Sequence, residues 1–341
     1  MDWRDTDDPY RIWVSEVMLQ QTPVRTVAPY YRRFLSMFPT VGALADAPLD
    51  RVLKLWEGLG YYSRARNLHK AARVVVEEHD GYLPASVDAL VALPGIGSST
   101  AGAIAAIAFR QDAPILDSNA KRVLARLLAV EGDLGRRDAE RILWEESRGL
   151  ILPGKGRETA LALMDLGATV CTPRKPRCSA CPLSAWCEGY RQGIQDAIPH
   201  KPRKKALPRH ETVAAVIEDR NGNVLIVRRP DAGLLGGLWE FPGGRRSPDE
   251  SEEEALDRAV RENLALGVEI LGKIGAVAHG YSHFRVTLHA YRCRKIRGRI
   301  RSAREWRWVS PTEMETYAFP GVNRKLMDRI AVPPRKRAKA C

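Results

Sequence analysis

The sequence predicts an all-helical domain followed by an α/β domain, and three observations carry that expectation. Apolar residues recur at helical spacing through residues 10–188, with no convincing period-two strand among them. At the end of that stretch, four of the six cysteines crowd into one loop: Cys171, Cys178, Cys181 and Cys187. Beyond a proline-rich, basic connector (IPHKPRKKALPRH), the pattern turns to short strands and one amphipathic helix.

In chain order, Arg11–Gln21, Pro48–Trp56, Ser99–Phe109 and Lys121–Val130 carry the helical periodicity. After the connector, Thr212–Ile217 and Val224–Arg228 read as strands joined by the turn Asn221-Gly222. Glu252–Leu266 reads as a helix, and Val286–Tyr291 and Trp306–Val309 as further strands. The expected organisation is a helical domain at 1–170, a cysteine loop at 171–190 and a basic linker at 191–209. An α/β domain at 210–332 and a disordered basic tail at 333–341 complete it.

A chain of 341 residues can hold two substantial cores, and 45% hydrophobic content suits a soluble protein. No run approaches the ~20 apolar residues of a membrane helix, and no signal-peptide core follows Met1. A reduced cytosol suits the thiols, leaving Cys293 and Cys341 without need of a partner. The net charge of +13 is uneven, +1 over residues 1–189 and +12 over residues 190–341. Such basicity points toward polyanions, nucleic acid above all, although many basic proteins bind none.

The cysteines read C-x6-C-x2-C-x5-C. Four close thiolates can surround one metal centre, and their softness selects iron–sulfur or zinc, with a disulfide pair ranking last. Uneven spacing within one compact loop suits a cluster better than a tetrahedral ion. Arg174, Lys175, Pro176 and Arg177 make the loop polar, which argues against unrelated buried cysteines.

Leu93-Pro94-Gly95-Ile96-Gly97 sits between two apolar helical segments. Its glycines allow a tight hairpin and expose backbone N–H groups at the next helix start, an arrangement suited to a DNA phosphate. An inert helix–helix turn would read the same way. Gly58-Leu59-Gly60 forms a second glycine turn, followed by Tyr61, Tyr62, Arg64 and Arg66, aromatics and cations fit for a nucleic-acid face or a half-buried core. Glu16 lies in an apolar, amide-rich stretch (WVSEVMLQQT), where a carboxyl could be desolvated and held partly protonated, although such a residue alone is more often a solvated helix position. Asp117 follows the extended Pro114-Ile115-Leu116 at a helix start, a position that an ordinary N-cap also explains.

Taken together, PYRIWVSEVMLQQT, GLGYYSRARNL, LPGIG, PILDSNAKRVLAR and the cysteine loop resemble the helix-hairpin-helix DNA glycosylases related to endonuclease III. The closer resemblance is to the MutY family of adenine DNA glycosylases, and it runs through nearly all of residues 3–188. It implies a helix-hairpin-helix glycosylase domain with a [4Fe-4S] cluster held by the four cysteines. It implies that Glu16 protonates the departing adenine and then handles the water, while Asp117 faces C1′ and stabilises the cationic sugar. Related lyases carry a nucleophilic lysine where this chain has Ser99. Serine cannot form an imine, so the expected enzyme is monofunctional and leaves an abasic site.

By the same resemblance, Gln21 and Tyr61 fill and wedge the duplex once the base is flipped. Trp3, Arg4 and Leu19 line the adenine pocket, and Leu93, Gly95, Gly97 and Ser99 belong to the DNA-binding hairpin. One departure is Leu161, where the family usually has Gln or Glu to read adenine's polar edge. A leading helix expected before Trp3 is missing, so the natural start is expected to differ from Met1.

In the second domain, Gly244, Glu250, Arg258, Val260, Glu262 and Leu266 fall on the Nudix pattern. Ala259, Asn263 and Ala265 replace two of its metal-binding glutamates and a glycine, so a Nudix-like fold is expected without hydrolase chemistry. Tyr281-Ser282-His283 resembles the Phe-Ser-His loop with which adenine glycosylases recognise 8-oxoguanine, making Ser282 and His283 candidate contacts to it.

The expectation is a DNA repair glycosylase removing adenine opposite 8-oxoguanine or guanine. Its partner is double-stranded DNA, and it is expected to be a monomer in the bacterial cytoplasm, at the nucleoid. The alternatives are a bifunctional glycosylase-lyase, a nucleotide pyrophosphohydrolase and a non-catalytic Fe–S DNA-binding protein.

Overall fold

The computed structural model describes residues 3–200 and 206–330. The expected tail at 333–341, Cys341 and the 201–205 part of the linker lie outside the described residues. The chain divides into two compact units, one of residues 1–47 and 66–204, the other of residues 48–65 and 205–341.

The first unit is helical. It holds α1 (Pro9–Leu19), α2 (Val24–Met37) and α3 (Val41–Ala45), while α4 (Leu49–Trp56) belongs to the second unit. There follow α5 (Ser63–Glu78, entering from the second unit), α6 (Val87–Ala92), α7 (Ser98–Phe109) and α8 (Ser118–Leu127). Next come α9 (Arg137–Gly149), α10 (Gly156–Thr169) and the short α11 (Glu188–Arg191). Asp8 starts α1 by accepting from the N–H groups of Tyr10 and Arg11, and Pro9 presets the first turn. With Tyr10, Ile12, Trp13, Val14, Val17 and Met18 all buried, α1 is apolar nearly all round and packs between α2 and α7. The helix α7 is built from small residues. At Gly102 a Cβ would lie 2.1 Å from the carbonyl oxygen of Pro114, so only glycine lets that extended segment cross so closely.

The second unit folds around a seven-stranded sheet. Its strands are β1 (Arg209–Glu218), β2 (Val224–Arg228), β3 (Trp239–Glu240), β4 (Gly243–Arg245), β5 (Gly267–Gly280), β6 (Arg285–Arg297) and β7 (Trp306–Val309). The order is β3-β2-β1-β6-β5, with β4 on β1 and β7 on β2; β1 and β6 run parallel. Residues 213–217 of the central β1 are all buried, because both faces are covered. One face packs under α12 (Glu252–Leu264) through Ala255, Leu256, Val260 and Leu264. The other carries Trp239, Phe241, Met314 and Phe319 with Val322, Leu326 and Met327 of α14 (Gly321–Ile330), just after the short α13 (Pro311–Met314).

Val224–Arg228 and Trp306–Val309 match the sequence expectation, and several other bounds shift. α1 ends at Leu19, so Gln21 stands outside the helix, and α8 starts at Ser118. Strand β5 went unread because it is a sheet edge with few buried residues and three register irregularities, which erase the period-two signal. Among the described residues, no helix is long and apolar enough to cross a membrane.

Candidate active site and metal centre

Glu16 sits near the middle of α1, half-buried among apolar neighbours. Burial first, and the negative charge of Asp117 second, push its carboxyl up to about 7, against the opposing pull of Arg4. The two carboxylates predicted from the sequence thus lie within electrostatic reach of each other, with Arg4 acting on Glu16.

Asp117 is indeed the N-cap of α8, accepting from the N–H of Ala120 at 2.7 Å. Burial raises its carboxyl, while the N–H groups of Ala120 and Asn119 and the charge of Arg122 oppose the rise. A cap is an ordinary role. What fixes the carboxylate in space is the segment before it, clamped three ways. Pro114 lies on Gly102, the Ser147 hydroxyl donates to the Ile115 carbonyl at 2.6 Å, and the Leu116 N–H donates to Ser99 Oγ at 3.1 Å. The hydroxyl at position 99 thus orients the extended segment leading to Asp117. Sequence reasoning missed Ser147 and Gly102; the small-residue run of α7 was the available signal for a close approach.

Trp3 is 4% exposed and meets Tyr31 edge-on with ring centroids 5.2 Å apart. Arg4 pairs with Asp165 of α10, with Nη2 to Oδ1 at 2.8 Å, so Asp165 holds the guanidinium that acts on Glu16. Leu19 and Leu161 are half-buried. Asp7, bonded to Arg110 at 3.0 Å and to Arg157 at 2.8 Å, fastens the segment leading into α1.

In the glycine hairpin between α6 and α7, Leu93 and Ile96 are buried anchors, and Gly95 takes φ +81°. A Cβ at Gly95 would lie 2.6 Å from that of Asn67, so the turn also needs glycine for space. Gly97 caps α7 without a side chain, which leaves the first N–H groups of the helix open to an anionic acceptor. Gln21 is exposed, with φ +55°.

The second unit carries Tyr61, whose φ of +47° follows Gly58 at +103° and Gly60 at +75°. The turn is braced by Trp56 Nε1 and Arg64 Nη2, which donate to the Gly60 carbonyl at 3.1 and 3.2 Å. Ser282 and His283 are exposed in the turn joining β5 and β6, and the His283 ring meets Tyr61 edge-on at 6.3 Å. On the Nudix-like helix, Arg258 grips Glu250 with two bonds of 2.6 and 2.8 Å and also reaches Glu262 at 3.3 Å. Arg258 thereby holds the Glu250 carboxyl down to about 2. Ala259 is buried against Gly244, and the Asn263 amide donates to the Ala259 carbonyl, so neither offers a cation a carboxylate.

The four cysteines of the loop are half-buried and line one cavity together with Arg126, Leu166, Val170 and Leu183. Arg126 donates from Nη1 to Cys171 Sγ at 3.3 Å, and its Nη2 is buried without a partner. A spare buried guanidinium donor against four sulfurs suits an anionic thiolate cluster. Among the described residues, no three His, Cys, Asp or Glu side chains converge tightly enough for one metal ion. Arg122 ties this loop to Asp117's helix, donating to the Cys171 carbonyl at 2.7 Å and to Asn119 Oδ1 at 2.9 Å.

Three family profiles match this layout. Residues 14–148 match the HhH-GPD superfamily base excision DNA repair protein, residues 171–187 the iron-sulfur binding domain of endonuclease III, and residues 213–329 a NUDIX domain. The solved structure of a thermostable thymine-DNA glycosylase is 32% identical with a TM-score of 0.52, covering 56% of this chain and 88% of that one. Fold and site define a helix-hairpin-helix base-excision protein with an iron–sulfur loop and a Nudix-like second domain. The adenine DNA glycosylase of Mus musculus is 38% identical over 83% of this chain and 64% of its own length. That of Buchnera aphidicola subsp. Baizongia pistaciae is 37% identical, over 73% of this chain and 70% of its own. The chain belongs to the adenine DNA glycosylase family, and it spans 60–64% of the length of its mammalian relatives.

Proposed function

We propose that the protein is a monofunctional adenine DNA glycosylase that excises adenine opposite 8-oxoguanine or guanine and leaves an abasic site. The observation that carries the reading is Glu16, a half-buried carboxyl pushed up to about 7, with a second half-buried carboxylate, Asp117, acting on it. Near neutral pH such a group holds its proton about half the time, as a general acid requires. Glu16 gives its proton to the adenine as the C1′–N bond breaks and the bonding pair leaves with the base. The positive charge left on the sugar faces the Asp117 carboxylate. Water then bonds to C1′ and returns a proton to Glu16, so the cycle closes without a redox step.

Trp3, Arg4 and Leu19 line the pocket for the flipped base, while Gln21 and Tyr61 occupy the space it leaves. The hairpin from Leu93 to Gly97 holds a phosphate of the DNA strand. Ser282 and His283 contact the 8-oxoguanine. Ser99 supports the monofunctional reading, since its oxygen is engaged by the Leu116 N–H and no amine stands there to attack C1′. The four cysteines hold a [4Fe-4S] cluster as a structural staple, presenting the exposed Arg174, Lys175 and Arg177 to the DNA backbone. Cys178→Ser should therefore lose cluster absorbance, thermal stability and DNA affinity together; full affinity in a cluster-free variant would contradict that role.

The testing experiment incubates the protein with a duplex carrying adenine opposite 8-oxoguanine. Free adenine should appear by chromatography, and strand scission should need added alkali. Scission without alkali, with a protein–DNA adduct trapped by borohydride, would instead establish a lyase.

A further inference from the structure

Within the second unit, one short segment touches the bases of two different turns. The segment is Tyr317–Val322, which follows α13 and runs into the first turn of α14. At one end, the Val322 N–H donates to the Tyr281 hydroxyl at 3.3 Å, and Tyr281 opens the turn that carries Ser282 and His283. Tyr281 is wedged there between Phe284, stacked at 4.7 Å, and His279, edge-on at 4.5 Å. At the other end, the Phe319 N–H donates to Glu57 Oε1 at 2.9 Å, and Lys54 Nζ donates to the Tyr317 carbonyl at 3.1 Å. Glu57 and Lys54 are themselves paired at 2.8 Å, and Glu57 immediately precedes the Gly58–Tyr61 turn. Two further contacts hold α4 in place. Asp50 accepts from Trp239 Nε1 at 3.1 Å, and the Trp239 N–H donates to the Ala318 carbonyl at 2.9 Å.

We propose that Glu57 is a positioning residue for opposite-base specificity: it ties the Tyr61 turn to Tyr317–Val322, and so sets the Tyr61 ring against His283. The argument is one of register. Tyr61 has little freedom of its own, because three of the four residues from Gly58 to Tyr61 lie at positive φ and Trp56 and Arg64 brace the Gly60 carbonyl. The turn therefore moves as a body with the end of α4. What fixes that end is Glu57, 16% exposed in its side chain, through a charge-assisted bond to backbone. The same segment fixes Tyr281. The same six-residue segment thus bears on both turns, whose rings stand 6.3 Å apart between centroids. Neither Glu57 nor Lys54 would touch DNA.

This inference rests on the reading of Tyr61 as the wedge and His283 as a contact to 8-oxoguanine. The test compares wild type, Glu57→Ala, Glu57→Gln and Lys54→Met in single-turnover excision of adenine opposite 8-oxoguanine and opposite guanine. A 2-aminopurine beside the lesion reports wedge insertion by its fluorescence. Losing the bond should cut the preference for 8-oxoguanine over guanine by about tenfold in Glu57→Ala, and shrink the 2-aminopurine signal in parallel. Glu57→Gln keeps an acceptor for the Phe319 N–H and should retain most of the preference. Lys54→Met should fall between them, and it supplies the test if Glu57→Ala does not fold. Preference and fluorescence unchanged in both Glu57→Ala and Lys54→Met would overturn the inference. A wild type with no preference for 8-oxoguanine would instead overturn the underlying reading.

Discussion

Two sets of carboxylates in this chain have opposite electrostatic fates. In the helical unit, Glu16 is half-buried among apolar neighbours with the charge of a second acid acting on it, and its carboxyl rises to about 7. In the Nudix-like unit, Glu250 lies in the grip of Arg258, which holds it near 2. The first arrangement keeps a proton within reach at neutral pH. The second gives a permanent anion with its lone pairs already engaged by a guanidinium, a brace between the loop after β4 and the helix α12. Two acidic motif positions, Glu250 and Glu262, keep their charge and pair with Arg258, while Ala259 and Asn263 stand where the pattern has glutamates. A carboxylate in a motif is therefore no guide to chemistry until its partner is known.

The sharpest way to break this comparison is to neutralise both. Glu16→Gln should lower single-turnover excision by about 10³-fold, in line with loss of a general acid. Glu250→Gln should leave the rate within about twofold, since the group touches no reacting atom. Equal losses from the two substitutions would erase the distinction.

Stability should separate them with opposite sign. Because folding raises the Glu16 carboxyl from 4.5 to about 7, the folded state binds the proton more tightly. Its contribution is fully present below pH 4.5 and is lost as pH rises through 7. Glu16→Gln should thus be more stable than wild type at pH 8, by roughly 1–3 kcal/mol after allowing for solvent access, and no different at pH 4. Glu250, depressed from 4.5 to about 2, contributes above pH 4.5, and that contribution is lost as pH falls through 2. Glu250→Gln should accordingly be destabilised at neutral pH and match wild type in strong acid. Thermal unfolding across pH checks both.

The smallest expected effect lies at the C-terminal end of α12. There Ala265 occupies the left-handed region at φ +55°, at the position where the Nudix pattern has glycine. Ala265→Gly should stabilise the second unit by about 0.5 kcal/mol with no change in excision, measurable as a small rise in unfolding temperature.

Much of this was legible in the sequence because local chemistry wrote it there. The Asn221-Gly222 turn, the buried run of β1 and the glycine hairpin at 93–97 all follow from local patterns. The cysteine loop could be singled out by composition, whereas the two acids gained their roles only from the family resemblance; Asp117 reads equally well as a cap, and it is one. The illegible parts are long-range. No local pattern shows that Ser147, 32 residues from Ile115, anchors the approach to Asp117. Nor does any show that Asp165 holds Arg4 across 161 residues. The packing of residues 48–65 with the second unit is likewise invisible in a sequence whose periodicity there is simply that of a helix.

The central claim, that a desolvated Glu16 supplies the proton, is tested most directly by the pH dependence of single-turnover excision. The substrate is a duplex with adenine opposite 8-oxoguanine, used with wild type and Glu16→Gln between pH 5 and 9. The wild-type rate should hold on the acid side and fall above pH 7, approaching tenfold per unit, as the carboxyl empties. Glu16→Gln should be slow and lack that limb. A wild-type rate flat to pH 9, or a Glu16→Gln rate equal to wild type, would contradict the account.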